Sequence, residues 1–264
     1  MSIDPAMMAR VRRDVPYEVP SLRPLPTRVR FYGEIPAWKR VAKRAIDIAF
    51  SVVALIAFAL MLPFIALAIK LDSRGPVFYS QVRVGIDRRA QDRRRAASAR
   101  GVADRRSEGQ TRDRRKIVAQ GHLFEIVKLR TMYTDSESDG LRWAHKGDPR
   151  ITRVGRFLRV TRLDEVPQFW NVLKGEMSVV GPRPERPPFI ELLSDEVPGY
   201  LDRLRFKPGI TGLAQVELGY DTDVEGVQRK VEKDVDYISR FSIFRDIVIL
   251  ARTVTVVITG RGAN

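Results

Sequence analysis

Cysteine is absent from the 264 residues and histidine occurs only twice, which excludes thiolate zinc sites, thiol nucleophiles, disulfides and histidine-rich metal clusters. A metal bound here would be held by oxygen, and the chemistry would run on carboxylates, hydroxyls and cations. Acidic residues are also in deficit: 32 Asp and Glu stand against 47 Lys and Arg, a formal charge of +15. That imbalance predicts an anionic partner, whether nucleic acid, an anionic membrane face or a phosphorylated substrate. Aromatic residues make up 8% of the chain and none falls between positions 86 and 121, where arginine is densest. At 44% hydrophobic, the chain has enough apolar material for one large globular domain or two small ones.

The positive excess is concentrated. Residues 1–44 carry +6, 45–85 carry +1, 86–121 carry +7 and 122–264 carry +1. The first segment holds Pro5, Pro16, Pro20, Pro24, Pro26 and Pro36 with few periodic apolar positions, so residues 1–37 read as a polar Arg/Pro-rich tail. It does not read as a signal peptide, because over forty residues precede the apolar run and no small-residue cleavage site follows it. Ile48 to Ile69 is then 22 residues without a charge, about 33 Å as a straight helix and enough to cross a bilayer. A crossing helix, a buried core helix and a re-entrant helix all fit that length. Pro63 leaves the Ala59 carbonyl without a donor and predicts a bend or a break, with only about 22 Å of helix before it. Heavy positive charge on both flanks predicts that both ends stay on the cytoplasmic side. The expectation is a re-entrant membrane helix over 38–71, broken near Pro63, which dips into one leaflet and returns.

Residues 72–264 read as the catalytic domain. Within it, Pro76 to Gly85 and His122 to Met132 are rich in Val, Phe, Tyr and Ile and predict a small β-hairpin. Between them the 86–121 insert, with paired and tripled arginines, predicts a solvated, disordered loop. Its functional reading is attraction to an anionic membrane surface. Without interleaved aromatics it lacks a stacking platform for single strands, so nucleic acid is the less favoured partner. From Gly147 onward the pattern is helical with loops. Val166, Phe169, Trp170 and Leu173 form one stripe, with Asp164 at the N-cap position and Gly175 as the stop. Val224, Val227, Val231, Val235 and Ile238 form a second stripe, and Ile243 to Ile258 predicts a closing helix that completes the core or lies in the membrane interface. The fold class expected is α+β and mostly helical, with a helical catalytic core and amphipathic interfacial helices.

The segment Arg159 to Pro184 gathers groups suited to phosphoryl transfer. Asp164 and Glu165 at a helix N-terminus would be favoured as carboxylates, Asp164 as a nucleophile and Glu165 as a ligand of Mg²⁺. Arg159 and Arg183 offer planar forks for phosphate oxygens, and Pro182 and Pro184 would hold Arg183 in a rigid turn. A plainer alternative has Asp164 capping a helix and Glu165 exposed in its first turn.

The ordered set KRAID, an interrupted apolar run, GPVFYSQVRVG, FEIVKLRTM, DPRITRVGRFLR, LDEVPQFWNVLKGEMSVVGPRPERP, FKPGITGLAQV and VITGRGA closely resembles the bacterial sugar transferase family, the monotopic polyprenol-phosphate phosphoglycosyl transferases. The resemblance covers roughly residues 38–263, apart from the 86–121 block. It implies that the Asp matching Asp164 attacks the β-phosphate of a UDP-sugar, expels UMP and holds a covalent phosphosugar, which undecaprenyl phosphate then takes. It implies that Glu165 helps to place Mg²⁺, and that Arg159, Arg183 and Lys128 surround the nucleotide and phosphates. Lys43 and Arg44 match basic residues at the membrane mouth that meet lipid phosphate. The implied setting is the bacterial inner membrane with the active site on its cytoplasmic face. There the reaction would be the first membrane step of exopolysaccharide, O-antigen or capsule assembly, feeding downstream glycosyltransferases, with UDP-glucose or UDP-galactose as the expected donor.

Three departures stand out. Leu62 precedes Pro63 where family members usually carry Ser, the Arg-rich block replaces a few turn residues, and only a polar tail precedes the module. The last of these suggests a minimal, catalytic-core form, although PRPERP and GRGA look more like the large branch. Two rival readings use the Arg-rich block instead: a membrane-tethered nucleic-acid-binding protein, and a nonenzymatic assembly protein.

Overall fold

The computed structural model describes residues 29, 32–87, 121–136, 147–218 and 224–259. Most of the polar tail and nearly all of the Arg-rich insert lie outside the described residues.

Helix α1 runs from Ala37 to Asp72. Its buried residues Lys43, Asp47, Ser51, Phe58, Ile65 and Ile69 are spaced by four or seven positions, which places them on one face. Most of the large apolar side chains on the remaining faces, among them Val53, Ile56, Leu60, Phe64 and Leu71, are exposed. The helix does not end at Pro63, which corrects the expected break into two elements. Proline removes one backbone bond, but the turns on both sides are packed: Phe58, Ile65 and Ile69 form a buried cluster with Leu129 and Leu158. Both ends of α1 are fixed to the rest of the chain, through Lys43 to Asp246 at one end and through Asp72 Oδ2, which accepts from the Val154 amide at 2.9 Å, at the other.

The expected hairpin is present. Strands β1 (Phe78–Val84) and β2 (Leu123–Leu129) pair antiparallel, with Tyr79 opposite Lys128 and Val82 opposite Glu125. Phe124 and Ile126 point inward, and Lys128 shares their face by the two-residue period of a strand. Helix α2 (Arg153–Val160) follows, capped by Thr152, whose hydroxyl accepts from the Gly155 amide at 2.9 Å. Gly155 lies against the Thr131 backbone so closely that a methyl would overlap the Thr131 carbonyl. Gly155→Ala is therefore expected to cost about 2 kcal/mol or more and to push α2 away from the Thr131 segment that follows β2. A thermal melt checks it, and an unchanged midpoint would contradict the close packing.

Next comes a 3-10 segment, Leu163–Gln168, which runs into helix α3 (Phe169–Lys174) and ends at Gly175 with a left-handed φ of 83°. The stop at Gly175 agrees with the sequence reading, but the start does not. Asp164 is not an N-cap: it is the second residue of the 3-10 segment, and Arg162, with φ 59°, takes the flanking position. The expected stripe also shifts, because Trp170 is exposed while Asn171 and Val172 are buried.

Two short strands are not apparent in the sequence, β3 (Ser178–Val180) and β4 (Gly209–Thr211), which pair in parallel. Between them lie helix α4 (Pro187–Glu196) and a 3-10 segment, Tyr200–Arg205. After β4 come α5 (Leu213–Glu217), α6 (Val224–Ser239) and α7 (Ile243–Thr259). The predicted stripe on α6 is buried at Val227, Val231, Val235 and Ile238. On α7, Asp246 and Ile249 face inward, whereas Phe244, Ile247, Val254 and Ile258 are exposed. Val29 and Ile35, from the end of the segment read as a polar tail, join the main core, and the Val29 carbonyl accepts from Arg205 Nη1 at 3.1 Å.

Candidate active site

The 3-10 segment carrying Asp164 and Glu165 packs against β2. Arg162, immediately before the pair, is the one non-glycine residue with positive φ among the described residues. Such a conformation is costly for a side-chain-bearing residue, and strain of this kind gathers at functional turns. Its carbonyl accepts from the Glu165 amide at 3.2 Å, closing the turn that sets the two carboxyls side by side.

Both carboxylates are buried, each side chain surrounded on most sides by protein. Glu165 Oε1 accepts from Arg183 Nη2 at 2.6 Å and from Lys128 Nζ at 3.0 Å, and Oε2 lies 3.4 Å from Arg183 Nη1. Burial alone would raise its pKa, but Arg183 and Lys128 outweigh burial and hold it well below the usual carboxylate range. Asp164 moves the other way. Burial, with the Glu165 charge beside it, pushes its carboxyl up to about 6 against the weaker pull of Lys128, Arg159 and Arg162. The sequence reading expected a helix N-terminus to favour ionised Asp164; the 3-10 geometry does not supply that, and desolvation sets the direction. Asp164 Oδ1 is buried without a hydrogen-bond partner. A buried, unpartnered carboxylate oxygen beside a carboxylate clamped by two cations has the chemistry suited to a nucleophile.

The cations expected in the site divide into two groups. Lys128 and Arg183 touch Glu165 directly. Arg159 lies on α2 with its Nε donating to Thr131 Oγ1 at 3.0 Å, close enough to lower the Asp164 pKa. Lys43 lies elsewhere, contrary to the expectation of a lipid-facing mouth, whereas Arg44 is half-buried beside the end of α3. The Lys43 side chain is 1% exposed, and its Nζ donates to Asp246 Oδ2 at 2.7 Å and to the Val180 carbonyl at 2.9 Å. Arg44 donates to the Val172 and Leu173 carbonyls at 2.5 and 2.6 Å, satisfying the end of α3. The KRAID motif thus ties α1 to the core, and Asp47 completes it by accepting from Ser178 Oγ and the Val179 amide, each at 2.9 Å.

Pro182 and Pro184 flank Arg183 in a turn whose carbonyls are all engaged. Pro182 O accepts from the Gly209 amide at 2.8 Å, Arg183 O from Arg203 Nη2 at 3.1 Å, Pro184 O from Arg83 Nη1 at 3.0 Å and Glu185 O from the Val84 amide at 3.0 Å. Arg83 and Arg203 were not singled out from the sequence. Their only signal there is that a Pro-flanked turn leaves carbonyls in need of donors.

Among the described residues no group of three or more His, Cys, Asp or Glu could form an all-protein metal cage. Two adjacent carboxylates still suit Mg²⁺, which is commonly held by one or two carboxylates together with substrate phosphates and water. Asp164 Oδ1, buried and unpartnered, and Glu165 Oε2, the less tightly paired oxygen, are the available donors.

Comparison with known proteins gives this site a context. The family described as Bacterial sugar transferase matches residues 38–114 and 105–260. The chain is 38% identical over 222 residues to a UDP-N-acetylgalactosamine-undecaprenyl-phosphate N-acetylgalactosaminephosphotransferase of Aeromonas hydrophila, covering 84% of this chain and 45% of that protein. It is 38% identical over 232 residues to an undecaprenyl-phosphate glucose phosphotransferase of Komagataeibacter xylinus, covering 86% of this chain and 37% of that protein. It is 36% identical over 219 residues to a UDP-glucose:undecaprenyl-phosphate glucose-1-phosphate transferase of Caulobacter vibrioides, covering 82% and 70%. The chain spans less than half the length of the first two of these relatives.

Proposed function

Because the chain belongs to the bacterial sugar transferase family, we propose that it transfers a sugar-1-phosphate from a UDP-sugar to undecaprenyl phosphate and releases UMP. The single observation that carries this reading is the buried pair: Asp164 with an unpartnered oxygen beside Glu165 clamped by Lys128 and Arg183. Ionised Asp164 attacks the β-phosphorus of the donor. The bond from that phosphorus to the oxygen bridging to the α-phosphate breaks, UMP leaves with the bridging oxygen, and the sugar phosphate remains on Asp164 as an acyl phosphate. An oxygen of undecaprenyl phosphate then attacks the same phosphorus, the acyl–oxygen link to phosphorus breaks, and the Asp164 carboxylate is restored. Arg183, Lys128 and Arg159 supply fixed positive charge where the transferring phosphoryl oxygens gather. Mg²⁺, when bound by Glu165 and Asp164 with the diphosphate, would offset the negative charge of the leaving nucleotide.

A membrane location fits this substrate. Helix α1 is long and apolar enough to span a bilayer, the only such helix among the described residues, and most of its apolar surface is exposed. Its two ends bind the same body, at Asp246 and at Val154, which favours a monotopic placement over a simple crossing, with α1 bending within one leaflet while keeping its helical hydrogen bonding; the setting we assign is the cytoplasmic face of the inner membrane. The lipid-linked product would be the acceptor for downstream glycosyltransferases in exopolysaccharide, O-antigen or capsule assembly. The relatives' names divide between glucose and N-acetylgalactosamine, so the donor is a matter for measurement.

The test is UMP release by the detergent-solubilised chain from UDP-glucose, UDP-galactose and UDP-N-acetylgalactosamine, with and without undecaprenyl phosphate and Mg²⁺. The expected result is a stoichiometric burst without lipid and full turnover with it, from one donor above the others. No release from any donor would overturn the assignment. The pH dependence of the burst is a second expectation, read without lipid so that the lipid phosphate does not titrate in the same range. Because only ionised Asp164 attacks, the burst rate should fall as pH drops through about 6. A rate that is flat from pH 5 to 8 would contradict a nucleophile with that raised pKa.

A further inference from the structure

Arg203 lies in the 3-10 segment Tyr200–Arg205, away from the carboxylate pair in sequence and buried within the core. One of its nitrogens, Nη2, donates to Asp234 Oδ2 at 2.7 Å and to the Arg183 carbonyl at 3.1 Å, and its Nη1 donates to the Tyr200 hydroxyl at 3.3 Å. Asp234 is buried on α6, at the end of an ion pair in which both side chains are almost fully enclosed. A buried ion pair alone would account for Arg203 and Asp234, but it would not require a third bond to the backbone of the residue that holds Glu165. The bond to the Arg183 carbonyl fixes the peptide from which the Arg183 side chain springs, in a turn already gripped at Pro182, Pro184 and Glu185.

We propose that Arg203, locked by Asp234, is a positioning residue that aims the Arg183 guanidinium at Glu165 and at the transferring phosphate. The inference rests on the proposed phosphoglycosyl transfer for its kinetic consequence, while its structural consequence is independent of any substrate. Arg203 Nη2 alone serves both Asp234 and the Arg183 carbonyl; the lysine side chain is one bond shorter, so its ammonium can pair with Asp234 but falls short of the carbonyl. Loosening the turn displaces a charge that must meet the phosphate in a narrow geometry, and misplacement of a reacting partner by about 1 Å can cost roughly 100-fold in rate.

The test is a double-mutant cycle in the full chain, with Arg203→Lys, Arg183→Ala and the pair together. Arg203→Lys should lower kcat/KM about 10- to 100-fold while changing the melting midpoint little, and in the Arg183→Ala background it should have no further effect. Fully additive losses, or an Arg203→Lys enzyme with unchanged kinetics, would overturn the proposal. Where Arg203→Lys does not fold, the pair Arg203→Met with Asp234→Asn, which leaves no unpaired buried charge, takes its place, with the same expected non-additivity toward Arg183→Ala. A substrate-free arm separates failure of this inference from failure of the reaction assignment. In a structure of Arg203→Lys the Arg183 guanidinium should leave its 2.6 Å contact with Glu165 Oε1, because the carbonyl bond that fixes its turn is lost. An Arg183 guanidinium that keeps that contact would overturn the positioning role even if the wild-type chain released UMP, and a displaced one would support it even if no donor were found.

Discussion

Asp164→Asn is expected to abolish turnover and to raise the melting temperature in the same protein. The kinetic half follows from the chemistry: an amide cannot form the acyl phosphate, so UMP release should fall by about 10³-fold or more, burst included. The stability half follows from burial. The folded-state pKa of Asp164 is raised from 3.8 to about 6, so the folded protein binds a proton more readily than the unfolded chain does. A group raised in this way loses stability as pH rises from its unfolded value through its folded one, and above that range its ionised form strains the fold. At one pK unit per 1.36 kcal/mol the strain at neutral pH is about 3 kcal/mol. Asparagine has the same shape and no charge to desolvate, and it also relieves the repulsion from Glu165. The melting midpoint at pH 7.5 should therefore rise by a few degrees, and the gain should shrink at pH 5, where Asp164 itself is largely protonated. A variant that is inactive and also less stable at pH 7.5 would mean that Asp164 is held by favourable contacts instead of being kept poised against burial.

That trade-off bears on what could be read without coordinates. The Asp-Glu pair, the Arg-Pro turn and the hairpin were legible because each depends on short-range chemistry: adjacent acidic residues, a proline-flanked cation, and two runs of β-branched and aromatic residues bounded by glycine. The direction of the Asp164 shift was not legible, since a helix N-terminus and a desolvated 3-10 turn predict opposite signs and the choice depends on what packs over the turn. The parallel pair β3 and β4 was missed for a related reason. Three residues per strand carry no period, and their partner lies about thirty positions away. The continuous run of α1 through Pro63 is another tertiary effect: contacts from Phe58, Ile65 and Ile69 to Leu129 and Leu158 override a local breaker. Arg83 and Arg203 could not be found from motif spacing at all, because their role is to satisfy carbonyls in a different segment.

Lys43 gives the sharpest contrast between motif and geometry, and the second large effect. By resemblance its ammonium would meet a lipid phosphate; in the structure it is sealed among Asp246, the Val180 carbonyl and the Tyr237 hydroxyl, with the Phe206 and Phe241 rings 5.8 and 5.6 Å away. Lys43→Ala removes one charge from that enclosure and strands the other, since Asp246 keeps only the Tyr237 hydroxyl at 2.6 Å. Breaking a buried pair from one side costs about 3–5 kcal/mol, a large part of the roughly 5–15 kcal/mol that holds a typical domain together. The expected result is a melting midpoint lower by well over five degrees, or a chain that does not accumulate. The two roles separate cleanly. A lipid-binding lysine would leave the melt unchanged and raise KM for undecaprenyl phosphate, whereas an internal anchor lowers the melt and leaves that KM alone in whatever protein folds. Replacing both partners with uncharged residues of similar size, Lys43→Met with Asp246→Leu, should recover much of the lost stability, because neither charge is then left without its counterpart. Recovery would place the first step of membrane-helix attachment in the core of the protein, at the point where α1 meets α7, and failure of the double variant together with a raised lipid KM would return Lys43 to the membrane surface.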